Sequence, residues 1–129
     1  FRKYWKNYIF INLINAINMT TTISFDDYSK IDLRIGTITE VFDFNEAHKP
    51  AYKLTIDFGS VGIKKSSVQI TSLYSKEDLL NKQIIANINF PNKQISNFVS
   101  ECLVLGAVDA FKVVLLAPEE NVPNGTSLL

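Results

Sequence analysis

The chain contains at residues 51–58 the stretch Ala51-Tyr52-Lys53-Leu54-Thr55-Ile56-Asp57-Phe58, in which apolar and polar side chains alternate from Tyr52 onward. Successive side chains of a β-strand point to opposite faces, so this pattern predicts a strand with one buried face and one exposed face. Tyr52 and Phe58 fall on the apolar face. We interpret both rings as core residues, and stacking on a ligand is the alternative.

Further strands are predicted on both sides of this run. Strand one has its change of apolar phase at Gly36, as a β-bulge or a barrel corner requires. A fifth strand near the C-terminus is alternatively read as the two halves of one hairpin. The predicted strands are residues 31–42, 51–58, 63–70, 83–89, and 103–108 with 112–116.

Two helix starts are indicated by capping residues. Ser24 has a carboxylate three positions later, which predicts a short helix or 3₁₀ turn. Ser75 is expected to cap a helix within residues 71–81, with Leu79 and Leu80 facing inward. The order of elements predicts an all-β fold, a five-stranded OB-fold barrel with a short helix between strands three and four. Helical extensions at the termini are expected to complete it.

Charge is balanced over the chain but not along it. The 129 residues include 13 basic and 13 acidic side chains, yet residues 1–18 hold three basic residues and no acid. We expect residues 1–18 to be a non-native or upstream-derived extension, with an amphipathic helix as the alternative. The domain is then predicted to cover residues 19–129, with a net charge of −3. Such a domain needs a local basic patch to bind nucleic acid.

The sequence contains few residues that could form a catalytic site or a metal site. His48 is the only histidine and Cys102 the only cysteine, so a histidine-rich metal site and an intrachain disulfide are excluded. No glycine-rich phosphate loop is present. We therefore expect no catalytic residue, no metal and no cofactor. We also expect no membrane insertion, since residues 1–18 are too short and too polar to span a bilayer.

A binding surface is predicted instead. OB folds bind ligands on strands two and three and on adjacent loops, where cations interleaved with aromatic rings combine charge with stacking. Phe90 and Phe98 are equally compatible with a groove and with the core. One wall of the surface is predicted to be the polar loop Asn89-Phe90-Pro91-Asn92-Lys93-Gln94-Ile95-Ser96-Asn97-Phe98-Val99-Ser100-Glu101.

Six blocks of the sequence resemble a known family. In order and spacing they are similar to the CsaA-type chaperones of the tRNA-binding OB domains, a group related to the C-terminal domain of bacterial methionyl-tRNA synthetases. Asn92, Ser96 and His48 depart from that pattern, where a second proline, a glycine or alanine, and an arginine are usual. The blocks are Asp32-Leu33-Arg34-Ile35-Gly36-Thr37-Ile38 and residues 46–59, 65–71, 89–95, 100–106 and 122–126.

The resemblance implies an ATP-independent, export-related molecular chaperone in the cytoplasm, which binds unfolded or preprotein segments as a homodimer. The alternative is a structure-selective tRNA-binding protein. Seven polar residues of the blocks are implied to line the ligand surface, and the cations and rings of the predicted face join them. The candidate ligand-binding residues are Arg34, Lys53, Lys64, Lys65, Ser66, Ser67, Asn89, Phe90, Lys93, Gln94, Phe98, Ser100 and Glu101.

Overall fold

The computed structural model describes residues 21–129, and the predicted extension at residues 1–18 lies outside them. The chain divides into two units, of which the first ends at Ile31. The described part of the first unit forms one helix, α1 (Phe25–Ser29). Its N-cap is Ser24, whose side chain accepts a hydrogen bond from the Asp27 N–H at 3.1 Å, which confirms the predicted helix start.

The second unit, residues 32–129, contains the strands of the described chain. They are β1 (Leu33–Asp43), β2 (Tyr52–Asp57), β3 (Ile63–Val68), β4 (Gln83–Asn87), β5 (Lys93–Ile95), β6 (Phe98–Ser100), β7 (Leu103–Val104), β8 (Gly106–Asp109) and β9 (Lys112–Leu115). A 3₁₀ turn, Gly59–Val61, joins β2 to β3, and helix α2 (Lys76–Leu79) lies between β3 and β4. The predicted OB-fold order is therefore confirmed.

Strand β1 is shared by the two sides of the barrel. The five-stranded antiparallel sheet has the order β3-β2-β1-β4-β7, and Thr37 of β1 is in register with both β2 and β4. The register with β2 shifts between Ile38 and Glu40. Of the two alternatives for Gly36, the bulge is wrong, because the irregularity lies at Thr39, where β1 has already left β4, and the barrel corner is correct.

Gly36 serves close packing at the same corner. A Cβ atom on Gly36 would lie 2.7 Å from Cγ2 of Ile56 and 2.7 Å from the ring of Phe58. Real Cβ atoms do not approach neighbours so closely, so only glycine lets β1 pass over these two side chains. Gly36, where the apolar alternation of β1 changes phase, is therefore a position of close contact with the core.

The core lies inside the barrel. The inward face of β2 supplies Tyr52, Leu54 and Ile56, and Phe58 follows the strand; their exposed fractions run from 8% to 0%. Full burial of one such side chain stabilises a fold by about 1.5–3 kcal/mol. The interpretation of Tyr52 and Phe58 as core residues is confirmed.

Helix α2 is shorter than predicted. Ser75 caps it in a complete capping box with Asp78, as expected from the sequence. Leu79 is fully buried, but Leu80 is 47% exposed. The inward orientation predicted for Leu80 is wrong, because the helix ends at Leu79 and Leu80 already has extended backbone angles.

Two hairpins replace what the sequence predicted as a loop and a fifth strand. β5 pairs with β6 inside the supposed polar connector, and β8 pairs with β9 in a separate sheet. Only Leu103–Val104 joins the barrel, by pairing with β4. Of the two alternatives for the C-terminal region, the hairpin is correct for residues 106–115.

The C-terminal tail lies along the start of β1. The Ile35 N–H donates to the Thr126 carbonyl at 3.0 Å, and the Gly125 N–H donates to the Ile35 carbonyl at 2.7 Å. The Asn124 side-chain oxygen accepts hydrogen bonds from Thr37 Oγ1 at 2.7 Å and from Gln83 Nε2 at 3.2 Å. The helical extensions predicted at the termini are minor, since the described chain after β9 contains no helix, and the predicted Asn-Gly turn is present at residues 124–125.

Both hairpins turn through two residues, the first of which has a positive φ. These are Ser96 and Ala110, each with φ of 53°. A Cβ atom disfavours the left-handed region by about 1–2 kcal/mol, and tight hairpin turns of this kind favour glycine at that position. Ser96 is one of the departures from the family pattern noted in the sequence.

We expect Ser96→Gly and Ala110→Gly each to raise the free energy of unfolding by about 0.5 kcal/mol, because relief of the backbone strain exceeds the entropy that glycine adds to the unfolded chain. Urea unfolding followed by circular dichroism measures the change. Ser60→Gly is the matched control, since Ser60 has no positive φ. It should lower stability slightly. A loss of stability in both hairpin variants would refute the strain argument.

Candidate ligand-binding surface

The outer faces of β1, β2 and β3 form the surface on which the sequence predicted binding. Inward and outward residues alternate along β2, so Lys53 and Thr55 point away from the core. Phe42 is 50% exposed, and Lys65 is also exposed. The strand registers align two cross-strand rows on this face, namely Phe42, Lys53 and Ser67, and then Glu40, Thr55 and Lys65.

An aromatic pair borders this face. The ring centroids of Phe44 and Phe98 lie 5.4 Å apart at a tilt of 59°, and Lys53 Nζ lies 5.4 Å from the Phe44 centroid. Phe44 is only 3% exposed and Phe98 is half-buried. The hairpin β5–β6 is thus held against the barrel by an aromatic contact, and Lys53 adds a cation–π contact to it.

The barrel closes between β3 and the residues that follow β6. The Glu101 N–H donates to the Lys65 carbonyl at 2.7 Å, and the Lys65 N–H donates back to Glu101 Oε1 at 2.9 Å. Glu101 thereby bonds to both backbone groups of Lys65, with its own backbone N–H and its own side-chain carboxylate. We call this junction of β3 with residues 100–102 the closing seam.

Buried hydroxyl groups complete the closing seam. The Ser67 N–H donates to Ser100 Oγ at 3.2 Å, and Ser66 Oγ donates to the Cys102 carbonyl at 3.0 Å. The three serines are between 0% and 4% exposed. Four of the predicted ligand contacts, the three serines and Glu101, therefore bond within the barrel. Their role in binding stays a prediction.

Arg34 and Asn89 are also bound within the fold. Arg34 holds the Asp32 carboxylate with Nε at 2.6 Å and donates from Nη1 to the Gly125 carbonyl at 3.0 Å. The hydrogen bond with Asp32 raises the pKa of Arg34. Asn89 Oδ1 accepts from the Asp32 N–H at 3.0 Å and from Asn87 Nδ2 at 2.9 Å. These bonds tie the end of β4 and the C-terminal tail to β1.

The remaining candidates lie around the hairpin β5–β6 and at the start of β3. Lys93 is half-buried and in register with Ser100, and Gln94 is exposed and donates to the Ser96 carbonyl at 2.8 Å. Phe90 is half-buried after β4. Lys64 is half-buried and in register with the core residue Ile56, away from the outer-face rows.

Three residues with clear structural roles were missed from the sequence: Phe42 and Phe44 at this surface, and Asn87 at the end of β4. Phe42 and Phe44 follow the bulge, which moves Phe42 outward, and a bulge has no reliable signature in a single sequence. Asn87 is 1% exposed, and its Oδ1 accepts from the N–H groups of Asn89 and Phe90. The one sequence signal for Asn87 was a side-chain amide within an apolar strand, which needs hydrogen-bond partners if it is buried.

An open depression of about 360 Å³ adjoins this surface. It is formed by the loop between β1 and β2, including His48 and Lys49, and by Thr71. Within residues 21–129, no three His, Cys, Asp or Glu side chains are grouped to hold a metal ion. None of the helices in that range is long and apolar enough to cross a membrane.

Comparison with protein families now identifies the domain. A family described as a putative tRNA binding domain matches residues 33–127. The chain belongs to this family. The match lies inside the predicted domain of residues 19–129, whose boundaries stay a prediction.

The relatives of this tRNA-binding domain include much longer proteins. The methionine–tRNA ligase of Pyrococcus furiosus is 36% identical over 106 residues, which are 82% of this chain and 14% of that protein. The ligase of Francisella tularensis is 35% identical over 109 residues, 84% of this chain and 16% of that protein. The chain thus spans about one-seventh of the length of these enzymes.

Solved structures of similar length also match. The chaperone CsaA of Bacillus anthracis is 50% identical with a TM-score of 0.81, over 84% of this chain and 100% of that one. The CsaA chaperone protein of Picrophilus torridus is 55% identical with a TM-score of 0.79, over the same shares. The resemblance inferred from the sequence blocks is confirmed.

The thiol of Cys102, in the closing seam, is much less acidic than an ordinary thiol. Burial raises the pKa of Cys102 from an ordinary value of 9.0 to about 12. The unfolded chain therefore loses this proton near pH 9, while the folded chain keeps it until about pH 12. Since the folded state binds more protons in this window, stability falls as the pH rises.

We expect the stability difference between the wild type and Cys102→Ala to be constant from about pH 6 to pH 8 and to shrink above pH 9, by up to about 1.4 kcal/mol per pH unit. The variant lacks the thiol but keeps the other groups that titrate at high pH, so it is its own control. Chemical unfolding at fixed pH values measures both proteins. Parallel pH curves up to pH 11 would contradict a buried, neutral thiol.

Proposed function

We propose that this chain is a non-catalytic, ATP-independent chaperone that binds unfolded or preprotein segments as a homodimer, in an export-related role in the cytoplasm. The observation that carries the proposal is the identity of 50% and 55% with two CsaA chaperones, each matched over its full length. The similarity to methionine–tRNA ligases covers only 14% of those enzymes and supports no catalytic role.

The outer face has chemistry suited to an extended polypeptide. Phe42 offers an exposed ring, Phe98 is half-buried, and Lys53 and Lys65 supply ammonium groups. Apolar surface can bind side chains that a folded client would bury, and the cations can pair with its carboxylates. Such a surface has no need of a nucleotide cofactor.

A second candidate function is structure-selective tRNA binding. It is favoured by the family match over residues 33–127 and by lysines interleaved with aromatic rings on the outer face. Phosphate contacts release counterions, so tRNA affinity would fall steeply with salt, while affinity for an apolar peptide would not. The two candidates can therefore be separated by one pair of titrations.

We predict that a fluorescein-labelled unfolded peptide binds saturably. We also predict that tRNA bound beforehand does not prevent this binding at physiological salt. Anisotropy titrations at several salt concentrations measure both ligands. Replacing Lys53 and Lys65 together by alanine should reduce the salt slope of any tRNA binding by about one per lysine. Lys82→Ala is the matched control, because Lys82 lies before β4, near Tyr74. Absence of peptide binding, with salt-dependent tRNA binding, would favour the second candidate instead.

The homodimer part of the proposal has its own support in the hairpin β8–β9. One face of this hairpin carries Ala107, Val114 and Leu116, of which Val114 and Leu116 are 41% exposed. Phe111 at its tip is 96% exposed. Asp109 and Lys112 are in register near the tip, so a two-fold axis could pair each with the opposite charge on a second copy.

We expect Phe111→Ser combined with Val114→Ser to shift the chain from dimer to monomer, because each change removes apolar surface from the proposed contact. Size-exclusion chromatography with light scattering gives the mass of each species. Ile63→Ser is the control, since Ile63 is 65% exposed but lies on β3. If the wild type is a monomer at high concentration, the homodimer proposal fails.

A further inference from the structure

The outward edge of β3 is closed by the Glu101 N–H and by the side chains of Glu101 and Ser100, where a sheet would use a whole neighbouring strand. Alternate residues of a strand direct their N–H and C=O groups to the same edge, and here Lys65 and Ser67 direct theirs to the closing seam. Both backbone groups of Lys65 are bonded to Glu101, and the Ser67 N–H donates to the Ser100 hydroxyl. In the described chain β3 has a strand partner on one side only, β2.

The bonds of Glu101 reproduce those of a missing strand residue. In an antiparallel hydrogen-bonded pair, one residue gives its N–H to the opposite carbonyl and accepts from the opposite N–H. Glu101 gives its N–H to Lys65 and accepts from the Lys65 N–H with its carboxylate, at 2.7 Å and 2.9 Å. A residue of an added strand could replace Glu101 group for group, with its carbonyl in place of the carboxylate.

We propose that the edge of β3 is a strand-addition site for an extended polypeptide, which the free protein keeps closed with Glu101 and Ser100. This proposal rests on the proposed chaperone function and defines how its client is held. Backbone hydrogen bonds to Lys65 and Ser67 give binding that does not depend on client sequence, as strand addition does in general. The closure protects an edge that would otherwise recruit other chains.

The side chains beside this edge define the preferred client. Ile63 and Lys65 lie on the same outer face of β3, and Ile63 is 65% exposed. A client strand that pairs here would set an apolar residue beside Ile63 and a polar or acidic residue beside Lys65, two positions along. The site thus suits extended segments in which an apolar residue and a polar or acidic residue lie two positions apart on one face.

The first test uses the wild-type protein and two peptides of one extended sequence, in which valine and glutamate take turns at the odd positions and threonine fills the even positions. One peptide is N-methylated at its odd residues and the other at its even residues. The valine and glutamate side chains fix which face of the peptide lies beside Ile63 and Lys65 and therefore which set of amides faces β3, so we expect the two affinities to differ by about tenfold or more, because one peptide loses its edge hydrogen bonds in that orientation. Anisotropy with the unmethylated peptide as competitor measures both.

The second test removes the closure. Glu101→Ala deletes the carboxylate that competes for the Lys65 N–H, so we expect the unmethylated peptide to bind about three- to tenfold more tightly. Glu101→Gln is the matched control, because its amide oxygen can still accept that hydrogen bond, and it should bind like the wild type. Thermal unfolding of each variant establishes that it is folded before binding is compared.

The outcomes separate this proposal from the proposed function. Binding of both methylated peptides with equal affinity would overturn strand addition while leaving the chaperone function standing. Failure of the wild type to bind any of the peptides would overturn both. If Glu101→Ala does not fold, the methylation test on the wild type decides alone.

Discussion

The whole barrel depends on β1 changing partners in mid-strand. Its first half pairs with β4 and its second half with β2, and Thr37 belongs to both registers. A strand can do this only if it bends sharply, and here the bend is made by Gly36 over the core and by the irregularity at Thr39. Without it, β2 and β3 would form a separate sheet with an exposed apolar face.

The same bend explains why the C-terminal tail lies where it does. The first half of β1 has β4 on one side, and its other edge is satisfied by the C-terminal tail through Ile35 and residues 125–126. Arg34 then links Asp32 to the Gly125 carbonyl. Polar groups that look suited to a ligand are used instead to satisfy backbone and side-chain groups at the barrel corner.

Local sequence patterns predicted the strands and helices of the fold well, but they could not predict contacts between residues far apart in the chain. β2 and the cap of α2 follow from neighbouring residues, so alternation and Ser75 predicted both. The hairpin β5–β6 was missed because its strands have three residues each and its turn lacks glycine. The closing seam joins Lys65 to a residue 36 positions away, and no single-sequence pattern reports such a pairing.

The candidate site also divides into residues that the sequence selected and residues that only the structure presents to solvent. The residues selected by resemblance, such as Ser66, Ser100 and Glu101, are bonded inside the closing seam. The residues presented to solvent on the outer face, such as Phe42, lie outside the seam. A sequence block can therefore mark a domain family because it closes the barrel. If the proposed strand addition is correct, both roles meet at Glu101, since the group that closes the barrel is also the group that a client must displace.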